Sequence, residues 1–170
     1  MRTEAIVEAI GDFLDDDDWK YEYRGEKKLF VMGVGLKCRM QSARLYIDVK
    51  DDAYLVYAIS PISGSEETSS ELMRYLTRAN YALINGNFEL DVRDGEVRYK
   101  SYVNCDSLSE LPAAIIRDSI YVPCAMMNKY GDGIAAIAMG YSDADTEIKK
   151  AENGSFGALF DSGDDDEDDD

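Results

Sequence analysis

The dipeptide Asp94-Gly95 constrains this chain more than any other feature. It stands midway through residues 85–103, Asn-Gly-Asn-Phe-Glu-Leu-Asp-Val-Arg-Asp-Gly-Glu-Val-Arg-Tyr-Lys-Ser-Tyr-Val. Aspartate followed by glycine favours positive φ at both corners of a tight type I′ turn, the connection whose twist matches two antiparallel strands. A two-residue turn there sets Arg93 against Glu96, Val92 against Val97, Asp91 against Arg98, Leu90 against Tyr99, Glu89 against Lys100 and Phe88 against Ser101. One face then carries Phe88, Leu90, Val92, Val97 and Tyr99. The other carries Glu89, Asp91, Arg98 and Lys100, acid opposite base, each pair contributing up to about 1 kcal/mol. Strand alternation, turn chemistry and charge agree on a β-hairpin.

The rest of the chain must supply that hairpin with a core. It has 170 residues, 45% of them hydrophobic, enough for one domain and a tail. The formal net charge is −17, and eight of the last ten residues are acidic, so residues 1–160 keep −9. Such a chain repels phosphate backbones and anionic lipid, which argues against a nucleic-acid partner and a membrane surface. Cys38, Cys105 and Cys124 are widely spaced and form no CxxC pair, so they read as reduced thiols in a cytoplasmic protein. The first eight residues, Met-Arg-Thr-Glu-Ala-Ile-Val-Glu, lack the apolar run of a signal peptide, and no stretch is long enough to span a bilayer.

Read in order, residues 3–14 predict an amphipathic helix with Ile6, Ile10, Phe13 and Leu14 on one face, Thr3 as its N-cap and the Asp15–Asp18 run as its stop. Strands are expected near residues 19–23, 29–38, 43–50 and 53–59, with Pro61 ending the run. Gly33-Val34-Gly35 lacks the following helix start that a phosphate loop needs, and reads as a bulge or close packing. A second helix fits residues 66–84 through Leu72, Tyr75, Leu76, Ala79 and Leu83, closed by Asn85-Gly86.

After the hairpin, Ser107-x-x-Glu110 has the form of a capping box, and Pro112 suits the first turn of a long helix over residues 111–141. Pro123 is expected to kink it, and Gly131-Asp132-Gly133 to break it. Its apolar stripe (Leu111, Ile115, Ser119, Val122, Met126, Tyr130, Ile134, Ile137) is widened by Ile116, Ile120, Met127 and Ala138 beyond what a surface helix needs. Self-association or a bound partner would explain the width; so would burial in a three-layer core. Beyond Tyr141 the periodicity fades, and residues 142–170 read as a disordered acidic tail. Its one apolar island, Phe156-Gly157-Ala158-Leu159-Phe160, has the form of a short binding motif and equally of chance in a solubilising tail. The domain reading is therefore 1–141 folded and 142–170 tail.

Chemistry is sparse. Histidine is absent, which removes the commonest general base and both Ser-His and Cys-His nucleophiles. Asp48, Asp51 and Asp52 cluster near a strand end and offer weak ligands to a divalent ion, though an acidic turn explains them as well. Neither a cofactor nor a resident metal is expected. Most of the tyrosines fall on strands, where half-buried packing suits them better than base stacking.

The stretch Asn80-Tyr81-Ala82-Leu83-Ile84-Asn85-Gly86-Asn87-Phe88-Glu89-Leu90-Asp91, continuing through Asp94-Gly95-Glu96-Val97-Arg98-Tyr99, resembles the YbjN-like family of bacterial sensory transduction regulators. The resemblance covers roughly residues 3–140, and the hairpin carries most of it. It implies the α+β fold of type III secretion chaperones: a helix, an antiparallel sheet of about 5–6 strands, a helix, a β-hairpin and a long C-terminal helix. It also implies a partner polypeptide and a homodimer, and transfers no catalytic residue. The expectation is a non-enzymatic, protein-binding, chaperone-like or regulatory module. Met126, Met127 and Tyr130 are its candidate contacts, because flexible methionines and aromatics suit adaptable surfaces. Two alternatives compete: a carboxylate and divalent-metal enzyme built on Asp48, Asp51 and Asp52, and an acidic nucleic-acid mimic acting through the tail.

Overall fold

A computed structural model describes residues 2–81 and 83–160, the last seven of these as backbone alone. The elements follow in order: α1 (Thr3–Asp16), β1 (Tyr21–Arg24), a 3-10 turn (Gly25–Lys27), β2 (Leu29–Gly35), β3 (Ser42–Val49), β4 (Ala53–Ile59), α2 (Glu66–Tyr81), β5 (Asn87–Leu90), β6 (Val97–Asn104), α3 (Ala113–Ala138) and α4 (Ala144–Phe160). The strands form one antiparallel sheet in the order β1-β2-β3-β4-β6-β5. The expected α+β architecture is present.

The strands alternate as half-buried strands must. Phe30, Met32, Leu45, Ile47, Tyr54, Val56, Phe88, Val97 and Tyr99 point to one face and are buried. α1, α2 and α3 cover that face, and α4 packs outside against α2 and α3. α3 is therefore enclosed by the sheet, α1, α2 and α4. Burial, not an exposed seam, accounts for its wide apolar surface, and Ile116, Ile120, Met127, Tyr130, Ile134 and Ile137 all lie in the core.

The hairpin forms, but two residues out of the expected register. Leu90 lies opposite Val97, Glu89 opposite Arg98 and Phe88 opposite Tyr99. The turn is longer because Asp91 and Asp94 act as local caps: the Asp91 carboxylate accepts the Arg93 amide at 3.0 Å, and the Asp94 carboxylate accepts the Glu96 amide at 3.0 Å. Gly95 alone takes positive φ, +76°, and its carbonyl accepts the Gly64 amide at 2.9 Å, so the loop docks on the β4–α2 connection. A slip of two keeps every side chain on its face. Val92, expected in the core, moves into the loop and is exposed.

Other boundaries shift for local reasons. Arg2, not Thr3, stands at the N-cap of α1, and the Thr3 hydroxyl donates to the Asp51 carbonyl at 3.1 Å. The Ser107–Glu110 segment stays outside α3. Pro112 is the N-cap instead, its carbonyl accepting the Ile115 and Ile116 amides. α3 runs unbroken through Pro123, whose missing N–H frees the Ser119 carbonyl. The buried Ser101 hydroxyl on β6 reaches that carbonyl at 3.5 Å, and the Ser119 hydroxyl meets Tyr54 Oη at 3.0 Å. Gly131 and Gly133 let α3 lie directly on Cys38 and Met40 and on the Tyr75 hydroxyl, where a Cβ would collide. They are packing residues, not breaks. Gly140, at φ +73°, closes the helix as Tyr141 N–H reaches back to the Ala136 carbonyl at 2.8 Å.

The reading of 142–170 as disordered tail is corrected over its first part. α4 begins at Ala144, capped by Asp143, whose carboxylate accepts the Thr146 amide at 2.8 Å. Ala144 and Ile148 are buried against α2 and α3, while Arg74 and Arg78 on α2 pair with Asp145 and Glu152. The Phe156–Phe160 island falls on the last turns of this helix, its side chains outside the described residues, as is the acidic stretch 161–170.

Candidate functional site

Among the described residues, no element packs on the second face of the sheet. Register places Glu22 and Arg24 of β1, Leu29 and Val31 of β2, Arg44, Tyr46 and Asp48 of β3, Leu55, Tyr57 and Ile59 of β4, and Arg98, Lys100 and Tyr102 of β6 side by side there. Glu89 of β5 closes the row. The middle is apolar and half-exposed, with Tyr46 opposite Tyr57, and Tyr102 is 57% exposed.

The rim is polar and ordered by charge. The Arg98 guanidinium lies 4.8 Å from the Tyr57 ring centroid and bonds the Glu89 carboxylate at 2.8 Å, and Lys100 bonds the same carboxylate. Partial burial disfavours the charged form of Glu89, but its bonds to Lys100 and Arg98 outweigh that and hold its pKa below the usual range. Lys50 pairs with Asp48 at 2.6 Å, and Arg24 with Glu22 at 2.8 Å. Arg44 forms no ion pair with another described residue. It lines a cleft of about 420 Å³ with Gly33, Ser42, Tyr46, Ile59, Pro61 and Glu96. In a chain whose 35 acids face 18 bases, this face is balanced.

A second concavity, of about 530 Å³, runs between α2 and α4 and is lined by Met73, Thr77, Tyr81, Ala144 and Ile148. Its two guanidiniums, Arg74 and Arg78, are already paired.

The residues chosen from sequence as contacts do not share a surface. Met127 and Tyr130 are fully buried, Tyr130 packing edge-on against Phe88 and Tyr75, and Met126 is half-buried. The apolar excess that singled them out is met inside the chain, where the sheet, α1, α2 and α4 surround α3. The open face was legible instead in the polar-side alternation of the strands, Arg44-x-Tyr46-x-Asp48 and Arg98-x-Lys100-x-Tyr102. Asp48, Asp51 and Asp52 do not converge. Asp48 faces the open sheet and pairs with Lys50, while the Asp51 and Asp52 backbone carbonyls accept from Thr3 and Cys105. Among the described residues, no three Cys, Asp or Glu side chains are placed to share a metal ion. The three thiols are buried; burial pushes Cys124 up to about 11 and raises Cys105. Among the described residues, no helix is long and apolar enough to cross a membrane.

An antiparallel sheet with helices on one face and side chains presented on the other defines an α+β scaffold. Residues 7–111, more than half of the chain, match the YbjN family model, described as "Putative bacterial sensory transduction regulator". The chain belongs to the YbjN family. Its fold is similar to the crystal structure of YbjN from E. coli, described as "a putative transcription regulator", with a TM-score of 0.55 and 12% identity, covering 74% of this chain and 90% of that one. At that identity the likeness concerns the fold alone. No curated protein matches the chain. The family is described as a regulator and not as an enzyme, and its match ends before α3 and α4.

Proposed function

We propose that the chain is a non-enzymatic regulatory module that docks a protein partner on the open face of its sheet. One observation carries the reading: a half-exposed aromatic and aliphatic row, Val31, Tyr46, Tyr57, Leu55 and Tyr102, rimmed by Arg24, Arg44, Arg98 and Lys100 in a chain of net charge −17. Exposed apolar patches with a polar rim mark binding surfaces, and tyrosine and arginine are the residues interfaces favour. The matching partner is a polypeptide segment of mixed apolar and acidic character, its carboxylates meeting Arg44 and its apolar side chains the tyrosines. Arg44 is the steering charge. The α2–α4 concavity is the weaker candidate, because both its guanidiniums are already neutralised.

The test compares proteins captured from native-host lysate by the wild type and by two sets of variants. A partner retained by the wild type and by Met73→Ala, but lost to Tyr57→Ala and to Arg44→Glu, supports the reading. Equal capture by the sheet-face variants contradicts it.

A further inference from the structure

The two edges of the sheet differ in how they end. At β5, the Asn80 side chain of α2 mimics a neighbouring strand: its amide donates to the Phe88 carbonyl at 2.9 Å, and its carbonyl accepts the Phe88 amide at 2.7 Å. That edge is closed to strand addition. At β1, among the described residues, no strand lies beyond Tyr21-Glu22-Tyr23-Arg24.

We propose that β1 pairs antiparallel with β1 of a second copy of this chain, about a twofold axis through Tyr23. Charge selects both the occupant and the register. Centred on Tyr23, the pairing sets Glu22 against Arg24 of the copy and Arg24 against Glu22, two opposite-charge pairs on the open face. Centred on Glu22 or on Arg24, it sets like charges opposite each other, which destabilises a strand pair. A centre between two residues would oppose outward-pointing to inward-pointing backbone groups, which an antiparallel ladder does not allow. Charges on an edge discourage pairing with apolar strands, and here their alternation is complementary to itself.

Two further observations agree. Tyr23, 40% exposed, packs on Phe30 with centroids 4.6 Å apart and the rings tilted by 37°, and the proposed axis brings Tyr23 against its own copy beside that ring. Residues 20–28 hold Lys20, Arg24, Lys27 and Lys28 against Glu22 and Glu26, so two strongly acidic chains approach here with little repulsion. The twofold joins two six-stranded sheets into one and keeps the helices of both copies on the same side. It goes beyond the partner-docking reading, because a continuous open face across both copies does not require that reading to hold.

Sedimentation velocity across roughly 1–100 µM tests it, the range in which an interface smaller than the standard size is populated. The wild type is expected to pass from monomer to dimer, with E22R and R24E each at least tenfold weaker. Mixing E22R with R24E restores dimers, because each then meets its opposite, and the double exchange E22R/R24E restores them in one chain. Glu22 and Arg24 side chains are 63% and 44% exposed, so the substitutions spare the fold, which unchanged melting curves verify. A wild type monomeric throughout, undiminished dimers of E22R, or no rescue on mixing each overturns the proposal. Failure here leaves the lysate comparison untouched, since Tyr57 and Arg44 take no part in the strand pair.

Discussion

Gly95 carries the largest constraint on a single residue. Its φ of +76° is costly to an L side chain, and a Cβ would overlap the Gly64 backbone, which cannot swing aside. Gly95→Ala is therefore expected to cost at least about 2 kcal/mol in urea unfolding, against tenths for an exposed loop glycine. The sequence marks Asp94-Gly95 as a turn for the right reason, positive φ, but cannot show that Gly64 lies across it or that Asp91 caps the loop. Those contacts lengthen the turn and shift the register. Glu89 shows the same limit. Its partners Arg98 and Lys100 follow from strand alternation, while their sharing of one carboxylate needs the register. Its pKa is depressed in the folded chain, so its stabilisation is complete above the unfolded value of about 4.3 and is lost as pH falls through the folded value. Glu89→Gln is expected to cost about 1 kcal/mol at pH 7, with the gap from wild type closing below pH 4 in urea titrations at both pH values.

Among the elements, α3 was legible and α4 was not. The long apolar stripe announces α3, and Gly131-Asp132-Gly133 falsely suggests a break, because nothing local reveals that Cys38, Met40 and Tyr75 pack directly on those glycines; nor does it reveal that Ser101 on a distant strand serves the Ser119 carbonyl freed by Pro123. α4 hides because, among its described side chains, Ala144 and Ile148 are the buried apolar ones in a run of charged residues; Asp143, with Thr146 three residues on, was its signal. Met127 and Tyr130 read as contacts because a flexible methionine and an aromatic suit adaptable surfaces, and nothing local shows that Phe88 of β5 and Tyr75 of α2 close over Tyr130. Ile148→Ala is expected to cost about 2–4 kcal/mol by thermal or urea unfolding, as for a core isoleucine. A change within tenths would mean that α4 does not pack as described. Asn80→Ala uncovers the β5 edge and leaves the Phe88 amide unpaired while its carbonyl keeps the Asn87 side chain, expected to cost about 1–3 kcal/mol and to raise aggregation on storage, read by light scattering.

At the scale of the whole molecule, absent histidine and buried thiols leave few groups to titrate near neutrality. Cys124 is pushed up to about 11, and carboxylates release their protons below about pH 5. The urea midpoint is therefore expected to stay level between about pH 5.5 and 7.5, and a slope there would point to a titrating group with a strongly shifted pKa. The α+β class and the family were legible in the hairpin and the strand periods. The surface was not, because a half-exposed tyrosine on a strand reads the same whether its face is covered or bare. Only the placement of α1, α2 and α3 on one side shows which. Site-specific photo-crosslinking in the native host measures that claim most directly, with the reactive side chain at position 102 on the open face and, separately, at position 81 on α2. The account predicts a discrete cross-linked protein species from position 102 that disappears with Arg44→Glu, and none of that species from position 81. The same species from position 81 alone, or no adduct from position 102, would contradict it.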